Sequence, residues 1–319
     1  MSYKISACCQ LGELTTNRKG ETVFTQFNDC KVGTITVKSM STLSPTQQRV
    51  KLLGKVKQNL NALRSQIKRV AAFSDNQKMF RITSDLFPLY THLDYNHLYD
   101  DEMLQLIKSS LSVTGKLIVD NGIRVSTHPS QYTTLSSDKD HVIDNSIRDL
   151  ESHVFLFECL GLNPVEHGVV INIHANGKSF TLPERASHLF PWISIENDEK
   201  LAGHEKCLML CEKYGIRYVF DLHHYYCETG DYLDVNSEDY QRIQNTWPEG
   251  VRPIIHLSQS RGDTNKREMC AHSDMITDQS LIEYFANWLY HNDCDLEAKH
   301  KNVASAQLAK DVIKFTDFN

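Results

Sequence analysis

What this sequence lacks narrows its class before any motif is read. No run of about eighteen apolar residues occurs, which argues against a transmembrane helix. The opening MSYKISACCQLGE has no long apolar core, so no secretory leader is expected. Nine cysteines, an odd number without CxxC spacing, suit reduced thiols rather than a disulfide frame. Cys8, Cys9, Cys207 and Cys211 read as small buried apolar residues. Positive charge is not in excess: the formal net charge of −6 argues against a general nucleic-acid coat, though local basic patches still bind phosphate. No GxGxxG follows the first strand, which counts against an open dinucleotide-binding sheet. Internal repeats, low-complexity tracts and interdomain linkers are also missing, and residues 1–319 read as one domain.

What is present is a full core and a repeating unit. Hydrophobic residues make up 40% of the 319 residues and charged residues 23%, as in an ordinary globular chain. Short β-rich runs alternate with amphipathic stretches. Strands are expected at Lys4–Cys9, Met79–Thr83, Ile123–Thr127, Gly168–His174, Ile193–Glu196, Arg217–Asp221, Arg252–Leu257 and Asp293–Glu297. Several are apolar along most of their length (Val169-Val170-Ile171, Tyr218-Val219-Phe220), as strands buried on both faces are. Between them, Ser44-Pro45-Thr46-Gln47 has the form of a capped helix start. Val50, Leu53, Val56, Leu60, Leu63, Ile67 and Val70 follow at helical spacing. Further faces run from Val142 to Leu160, from Leu201 to Tyr214 and from Leu281 to Leu289; Gly161 and Gly215 stop the first two. Eight strands alternating with helices point to a closed (β/α)8 barrel, a TIM barrel of the α/β class. The polar segment from about Gly12 to Met40 reads as a long irregular loop.

The strand ends carry the chemistry. The third strand runs into His128 and then Pro129, which cannot continue a ladder. The fourth ends in His174, the fifth in Glu196, and the sixth in Asp221 with His223 and His224 just beyond. The seventh carries His256 and the eighth Glu297. Asp and Glu total 40 and His 15, so one such ending is ordinary, but an unbroken run of six is not. A barrel gathers the carboxyl ends of its strands at one mouth, and imidazoles with carboxylates there suit zinc, manganese or similar ions. Glu196 is placed to bridge two ions, with Asp221, His256 and Glu297 completing the second. Taken singly, a strand-end histidine is ordinarily a hydrogen-bonded core residue, and Asp221 is an ordinary helix cap.

FRITSDLFP (Phe80–Pro88), STHPSQY (Ser126–Tyr132), IENDE (Ile195–Glu199), FDLHH (Phe220–His224), RPIIHLS (Arg252–Ser258), AHSDMI (Ala271–Ile276) and DLEAKHK (Asp295–Lys301) occur in that order. The set, together with TTNR (Thr15–Arg18), resembles the UV-damage endonuclease family over nearly the whole chain. The resemblance implies a barrel related to endonuclease IV. It also implies ATP-independent excision repair that nicks DNA immediately 5′ of ultraviolet photoproducts (cyclobutane dimers and 6-4 photoproducts), leaving a 3′-hydroxyl. It assigns His128, His174 and Glu196 to one divalent ion, and Glu196, Asp221, His256 and Glu297 to a second. His224 and His272 fall to a third. Manganese is the expected ion, with magnesium or zinc as substitutes. Gln131 and Tyr132 match a pair that pushes into the duplex at the lesion, and Gln10 stands where the family often has a lesion-contacting Asn. Glu196, Asp221, Glu297 and Lys299 are expected to carry the chemistry.

The resemblance has departures. Ile254 stands where the family usually has a lysine that is modified to hold metal, and isoleucine ligates nothing. Either two ions remain, or His224 and His272 hold the third with water, with Asp274 as a conceivable substitute. Asp85 lies past the second strand and is placed to orient a ligand. Arg18, Lys19, Lys178, Arg261, Lys266, Arg267, Lys299 and Lys301 are the candidate phosphate contacts. The expected partner is UV-damaged double-stranded DNA, met by a monomer in the cytoplasm or nucleoid (the nucleus in a eukaryote). Two other readings share the barrel: a metal-dependent sugar isomerase or epimerase, and a lesion-binding protein without catalysis. The HPSQY loop and the basic stretch Arg261–Arg267 favour DNA over a sugar.

Overall fold

The computed structural model of the protein describes residues 3–316. Ten strands form: β1 (Ala7–Cys8), β2 (Gly12–Thr16), β3 (Thr22–Gln26), β4 (Met79–Ile82), β5 (Arg124–Thr127), β6 (Val170–His174), β7 (Ile193–Glu196), β8 (Arg217–Asp221), β9 (Ile254–Leu257) and β10 (Asp293–Leu296). Eight of them pair in the order β1-β4-β5-β6-β7-β8-β9-β10, each parallel to the next. A bridge between Ile5 and Cys294 joins the two edges, with the Ser6 amide donating to the Cys294 carbonyl at 2.8 Å. The expected (β/α)8 barrel therefore closes. Strands expected from residues 4 and 252 start later, at Ala7 and Ile254.

Helices wrap the outside, and their local signals explain their ends. The Ser44 side chain accepts from the Gln47 amide while Gln47 Oε1 accepts from the Ser44 amide, so the helix Pro45–Ala71 begins in a capping box. Its inward face is Leu52, Val56, Leu60, Leu63, Ile67 and Val70; Val50, expected on that face, is 65% exposed. Leu201 likewise lies outside, since the helix it was expected to open starts only at His204. Gly161 and Gly215 end their helices with φ of 72° and 64°, a left-handed turn that glycine makes without strain.

The polar stretch after β1 is not an irregular loop. β2 and β3 form an antiparallel hairpin, and Val37–Ser41 is a short helix. Asn17 Oδ1 accepts from the amides of Lys19 and Glu21, and Gly20 takes φ 82°. The alternation in GELTT and TVFTQ around an Asn-to-Gly turn was a hairpin signal that the polarity of the segment obscured. Asn302 clamps the base of the hairpin through both polar groups of Gly12, so the exposed Arg18 and Lys19 project from the chain as it leaves the carboxyl end of β1.

Inside the ring, successive inward side chains are two residues apart. Met79, Val170, Val219 and Ile254, with Trp247 and Val251, form a separate buried apolar layer. Ile254 thus lies one inward step below His256, among hydrocarbon, where no cation is held. No helix among the described residues is long and apolar enough to cross a membrane.

Candidate active site

The carboxyl ends of β5 to β10 deliver the expected residues to one mouth. Glu196 is at the centre, 1% exposed. Its Oε1 lies 2.9 Å from His256 Nδ1 and 3.9 Å from His224 Nε2. Its Oε2 lies 3.1 Å from His128 Nε2 and 3.8 Å from His174 Nε2, and accepts from the Asn172 side chain. Each oxygen therefore faces its own pair of imidazoles, the arrangement a bridging carboxylate needs. His256 Nδ1 is also 3.9 Å from Asp221 Oδ2 and 3.6 Å from Glu297 Oε1. Three sets of donors, His128–Glu196–His256, Glu196–Asp221–His224 and Asp221–His256–Glu297, each offer ligand atoms within 4.8 Å of one another. His272 is further out, with Nδ1 3.6 Å from Glu297 Oε2 and its ring 6.3 Å from that of His224.

Local structure sets these orientations. His128 Nδ1 lies 3.1 Å from the Pro129 carbonyl and its Nε2 faces Glu196 Oε2 at 3.1 Å, so with Nδ1 donating to that carbonyl Nε2 would be free for a cation. Asp221 caps the helix Leu222–Thr229 by accepting from the His224 amide through Oδ1, and its Oδ2 has no hydrogen-bond partner. Asn197 holds Asp221 by its backbone, donating to its carbonyl and accepting from its amide. The cap reading and the ligand reading are thus both satisfied, by different oxygens.

Burial and charge compete across the cluster. Burial opposes the ionised form of Glu196, but His256, His174 and His128 hold its carboxyl well below the usual range. Burial likewise opposes ionisation of Glu297, and Arg81 and His256 overcome it. Burial works against a charged His256, yet the Glu196 carboxylate and its hydrogen bond lift that ring to about 9. His174 moves the other way, lowered chiefly by burial. Asp221 Oδ2 is buried without a hydrogen-bond partner, and His174 Nε2 and His224 Nε2 stand 3.8 and 3.9 Å from the Glu196 oxygens. Buried imidazoles and carboxylates so disposed fit a divalent cation, which takes N and O donors and satisfies them together.

Residues that motif reading passed over complete the site. Arg81, on β4, pairs with Glu297 across the barrel; it, rather than Lys299, is the cation on that carboxylate. Lys299 sits at the rim, half exposed, with Nζ 3.9 Å from Asp274 Oδ1. Asp274 is exposed, with its oxygens 3.9 Å from Lys299 Nζ and His300 Nε2, and it is not among the three close donor sets. Glu199 lies 2.6 Å from His224 Nδ1; against burial, that imidazole holds its carboxyl down at about 2. The IENDE motif therefore supplies two carboxylates to the site, three residues apart. Asp85 is exposed, with its carbonyl accepting from Asn59. Cys8, Cys207 and Cys211 are buried, and Cys9 is half-buried.

The loop after His128 is anchored at its base and exposed at its tip. Ser84 Oγ donates to the His128 carbonyl, Thr133 Oγ1 to Asp149, and the Thr134 amide to Ser146. Gln131 is exposed, and Tyr132 is 79% exposed, higher than any other large hydrophobic side chain described. Gln10 is exposed too, just after Cys9, whose φ of 64° turns the chain sharply at the end of β1. Of the basic candidates, Arg261 is committed to Glu268 at 2.6–2.7 Å and Lys266 to the Cys227 carbonyl. Arg18, Lys19 and Arg267 are exposed.

A parallel barrel that gathers imidazoles and carboxylates at the carboxyl ends of its strands defines a class of metal-dependent barrel enzymes. Residues 21–319 match the family model of UV-endonuclease UvdE, and the chain belongs to that family of nucleases. The UV DNA damage endonuclease of Nostoc sp. is 33% identical over 249 residues, covering 73% of this chain and 72% of that protein. The UV DNA damage endonuclease of Bacillus velezensis is 28% identical over 292 residues, 88% of each. The crystal structure of SacUVDE superposes with a TM-score of 0.74 at 24% identity, over 98% of both chains. Endonuclease IV from Thermus thermophilus shares the fold at a TM-score of 0.53 and 14% identity, covering 79% of this chain and 93% of that one.

Proposed function

We propose that this chain is a DNA repair endonuclease acting on UV-damaged duplex DNA as a monomer. In this reading it hydrolyses the phosphodiester immediately 5′ of cyclobutane dimers and 6-4 photoproducts without ATP, leaving a 3′-hydroxyl. The observation that carries the reading is Glu196, both of whose oxygens face imidazoles at a mouth whose neighbouring loop presents an exposed Gln131-Tyr132. His128, His174 and Glu196 would hold one divalent cation, and Glu196, Asp221, His256 and Glu297 a second, with Mn²⁺ the favoured ion. His224 and His272 are the outer donors. Divalent cations held by these residues would supply polarisation of the phosphodiester and an activated water at neutral pH.

The chain's own groups do the rest. Arg81 keeps Glu297 ionised and aimed inward. His128, with its Nδ1 on the Pro129 carbonyl, turns its Nε2 to Glu196. Extruding or kinking nucleotides costs a few kcal/mol, less where a lesion has already weakened the stack. Tyr132 fills or stacks in the opened step while Gln131 hydrogen-bonds the orphaned base. Arg18, Lys19 and Arg267 neutralise phosphates at the rim, with Lys299 nearest Glu297 in sequence. A sugar enzyme needs an enclosed pocket, and an exposed tyrosine at the mouth works against one.

Incision of a labelled duplex carrying one defined cyclobutane dimer tests the reading, with Mn²⁺, with EDTA and with Glu196→Gln. A metal-dependent nick 5′ of the dimer, lost in the variant, is expected. Binding without cutting in any divalent metal would make the protein a lesion sensor instead.

A further inference from the structure

We propose that Asp295, a residue outside the ligand set, is the positioning carboxylate of His256: when a cation takes Nδ1 in place of its hydrogen bond to Glu196, Asp295 holds the remaining ring proton on Nε2. The proposal rests on the reading of His256 as a cation donor.

The placement follows from register. β9 and β10 pair with His256 opposite Asp295, and alternate residues of β10, Asp293, Asp295 and Glu297, face the barrel interior. Asp295 is 1% exposed and His256 is fully buried. Three carboxylate oxygens, from Glu196, Asp221 and Glu297, lie 2.9–3.9 Å from His256 Nδ1, so that nitrogen is the one aimed at the cation donors. The opposite nitrogen, Nε2, points away from the mouth and has no hydrogen-bond partner; Asp295 Oδ2 lies 3.8 Å from it. Asp295 Oδ1 is also buried without a partner. His256 Nε2 and Asp295 Oδ1 are thus both buried and unpartnered, beside the 3.8 Å approach of Nε2 to Asp295 Oδ2.

Ser126 holds the carboxylate in place. Its Oγ donates to Asp295 Oδ2 at 2.7 Å from across the barrel, 169 residues earlier in the chain. Asp295 does not join the cation donors, because it faces the far side of the ring. Below it the interior turns apolar at Met79, Val170, Val219 and Ile254, which offer nothing to an N–H. A neutral imidazole that gives Nδ1 to a cation must carry its proton on Nε2. A carboxylate accepting from the far nitrogen of a ligating histidine sets its tautomer and raises its basicity. His128 has a comparable arrangement at this mouth, with its Nδ1 3.1 Å from the Pro129 carbonyl and the opposite nitrogen turned to Glu196.

Asp295→Leu removes the acceptor, and Asp295→Asn keeps its shape while discarding its charge. Mn²⁺ affinity is read by competition with a chelating indicator. The tautomer is read from the ring ¹⁵N shifts of His256 with Zn²⁺ as diamagnetic cation, assigned by His256→Gln. Roughly a 10- to 100-fold loss of affinity is expected in the leucine variant, with a smaller loss in the asparagine variant. The Nε2-protonated signature should weaken in both. A solely structural role for Asp295 would lower the melting temperature and leave affinity and tautomer unchanged, overturning the proposal. If the leucine variant fails to fold, the asparagine variant decides, since an unaltered ¹⁵N signature there also overturns it. Wild-type protein that binds neither cation would remove the donor reading of His256, and the proposal with it. Wild-type binding matched by both variants would remove the proposal alone.

Discussion

Charge is buried at both ends of this barrel, and the two ends treat it in opposite ways. At the amino ends of the strands, Arg124 donates to Asp293 Oδ2 at 2.8 Å and to the Gly168 carbonyl at 3.1–3.2 Å. Arg217 donates to the carbonyls of Val169 and Pro164, and Arg252 Nε lies 3.1 Å from Asp293 Oδ1. The guanidiniums of Arg124 and Arg217 both sit over the Trp247 ring at 5.8 Å. At the carboxyl ends the polar groups crowd as closely, yet Asp221 Oδ2 has no hydrogen-bond partner, and His174 Nε2 and His224 Nε2 stand 3.8 and 3.9 Å from Glu196, too far to bond it. Polar groups closed on one another hold a ring shut; polar groups left open hold it ready for something else. The apolar cluster of Met79, Val170, Val219 and Ile254 lies with the first end: Met79 pairs with Arg124 and Ile254 with Asp293.

Parallel substitutions at the two ends sharpen the contrast most. Asp293→Asn strips Arg124 and Arg252 of their carboxylate, and breaking such a buried pair costs about 3–5 kcal/mol of stability. Incision per folded molecule should be retained, as denaturant melts and kinetics on the same preparation would show. Glu196→Gln should cost incision instead, on the order of a thousandfold or about 4 kcal/mol, a loss that remains when rates are compared at matched folded fraction. If both variants lose activity equally at matched folded fraction, the division between architecture and chemistry fails.

Cation binding gives the next largest difference. At Mn²⁺ a hundredfold above its dissociation constant, the melt should gain about 2.7 kcal/mol. EDTA should reverse the gain. The increment should survive in Asp293→Asn and vanish in Glu196→Gln. The loop above the mouth is a smaller test. Tyr132→Ala removes a largely exposed side chain and should alter stability by less than about 0.5 kcal/mol. Its cost should appear in lesion binding, about 1–3 kcal/mol for one lost stacking contact, measured on damaged against undamaged duplex.

Histidine itself supplies the finest comparison. His256, among carboxylates, is lifted to about 9; His153, in the helix layer with Nδ1 unpartnered, is pushed down to about 4 by burial. The His153 ring stays neutral because burial outweighs the pull of nearby Asp149. Its folded value lies below the unfolded one near 6.5, so between about pH 6.5 and 4 the unfolded chain takes up a proton that the folded chain refuses. Stability should therefore decline as the pH is lowered through that window, by at most about 1.4 kcal/mol per unit from this group. His153→Leu should flatten that part of the profile, as melts at about pH 7, 6 and 5 would show. An unchanged slope would mean that the ring is charged or hydrated in the folded state.

Much of this molecule was legible in order along the chain. The alternation of β-rich runs with amphipathic stretches is enough to call for a barrel, and strand polarity then sends His128, His174, Glu196, Asp221, His256 and Glu297 to one mouth. That inference needs only the two-residue period of a strand and the parallel direction of its neighbours. The helix stops at Gly161 and Gly215 and the capping box at Ser44 were equally local. The hairpin of β2 and β3 was local too, but its polar side chains hid an alternation that would otherwise have marked it.

Which distant groups meet could be seen only in the folded barrel. Arg81 reaches Glu297 across 216 residues, and Ser126 reaches Asp295 across 169. Glu199 turns onto His224, while Lys299, two residues from Glu297, goes to the rim instead. Ile254 proves to sit in an apolar layer beneath the site. No periodicity encodes such pairings, because they arise where the ring closes and brings inward side chains of separate strands to the same height. Linear order was enough to require that imidazoles and carboxylates gather at one mouth. Barrel closure chose which of their atoms are tied and which are left open, because hydrogen-bond partners in a dry interior follow register and height rather than proximity along the chain.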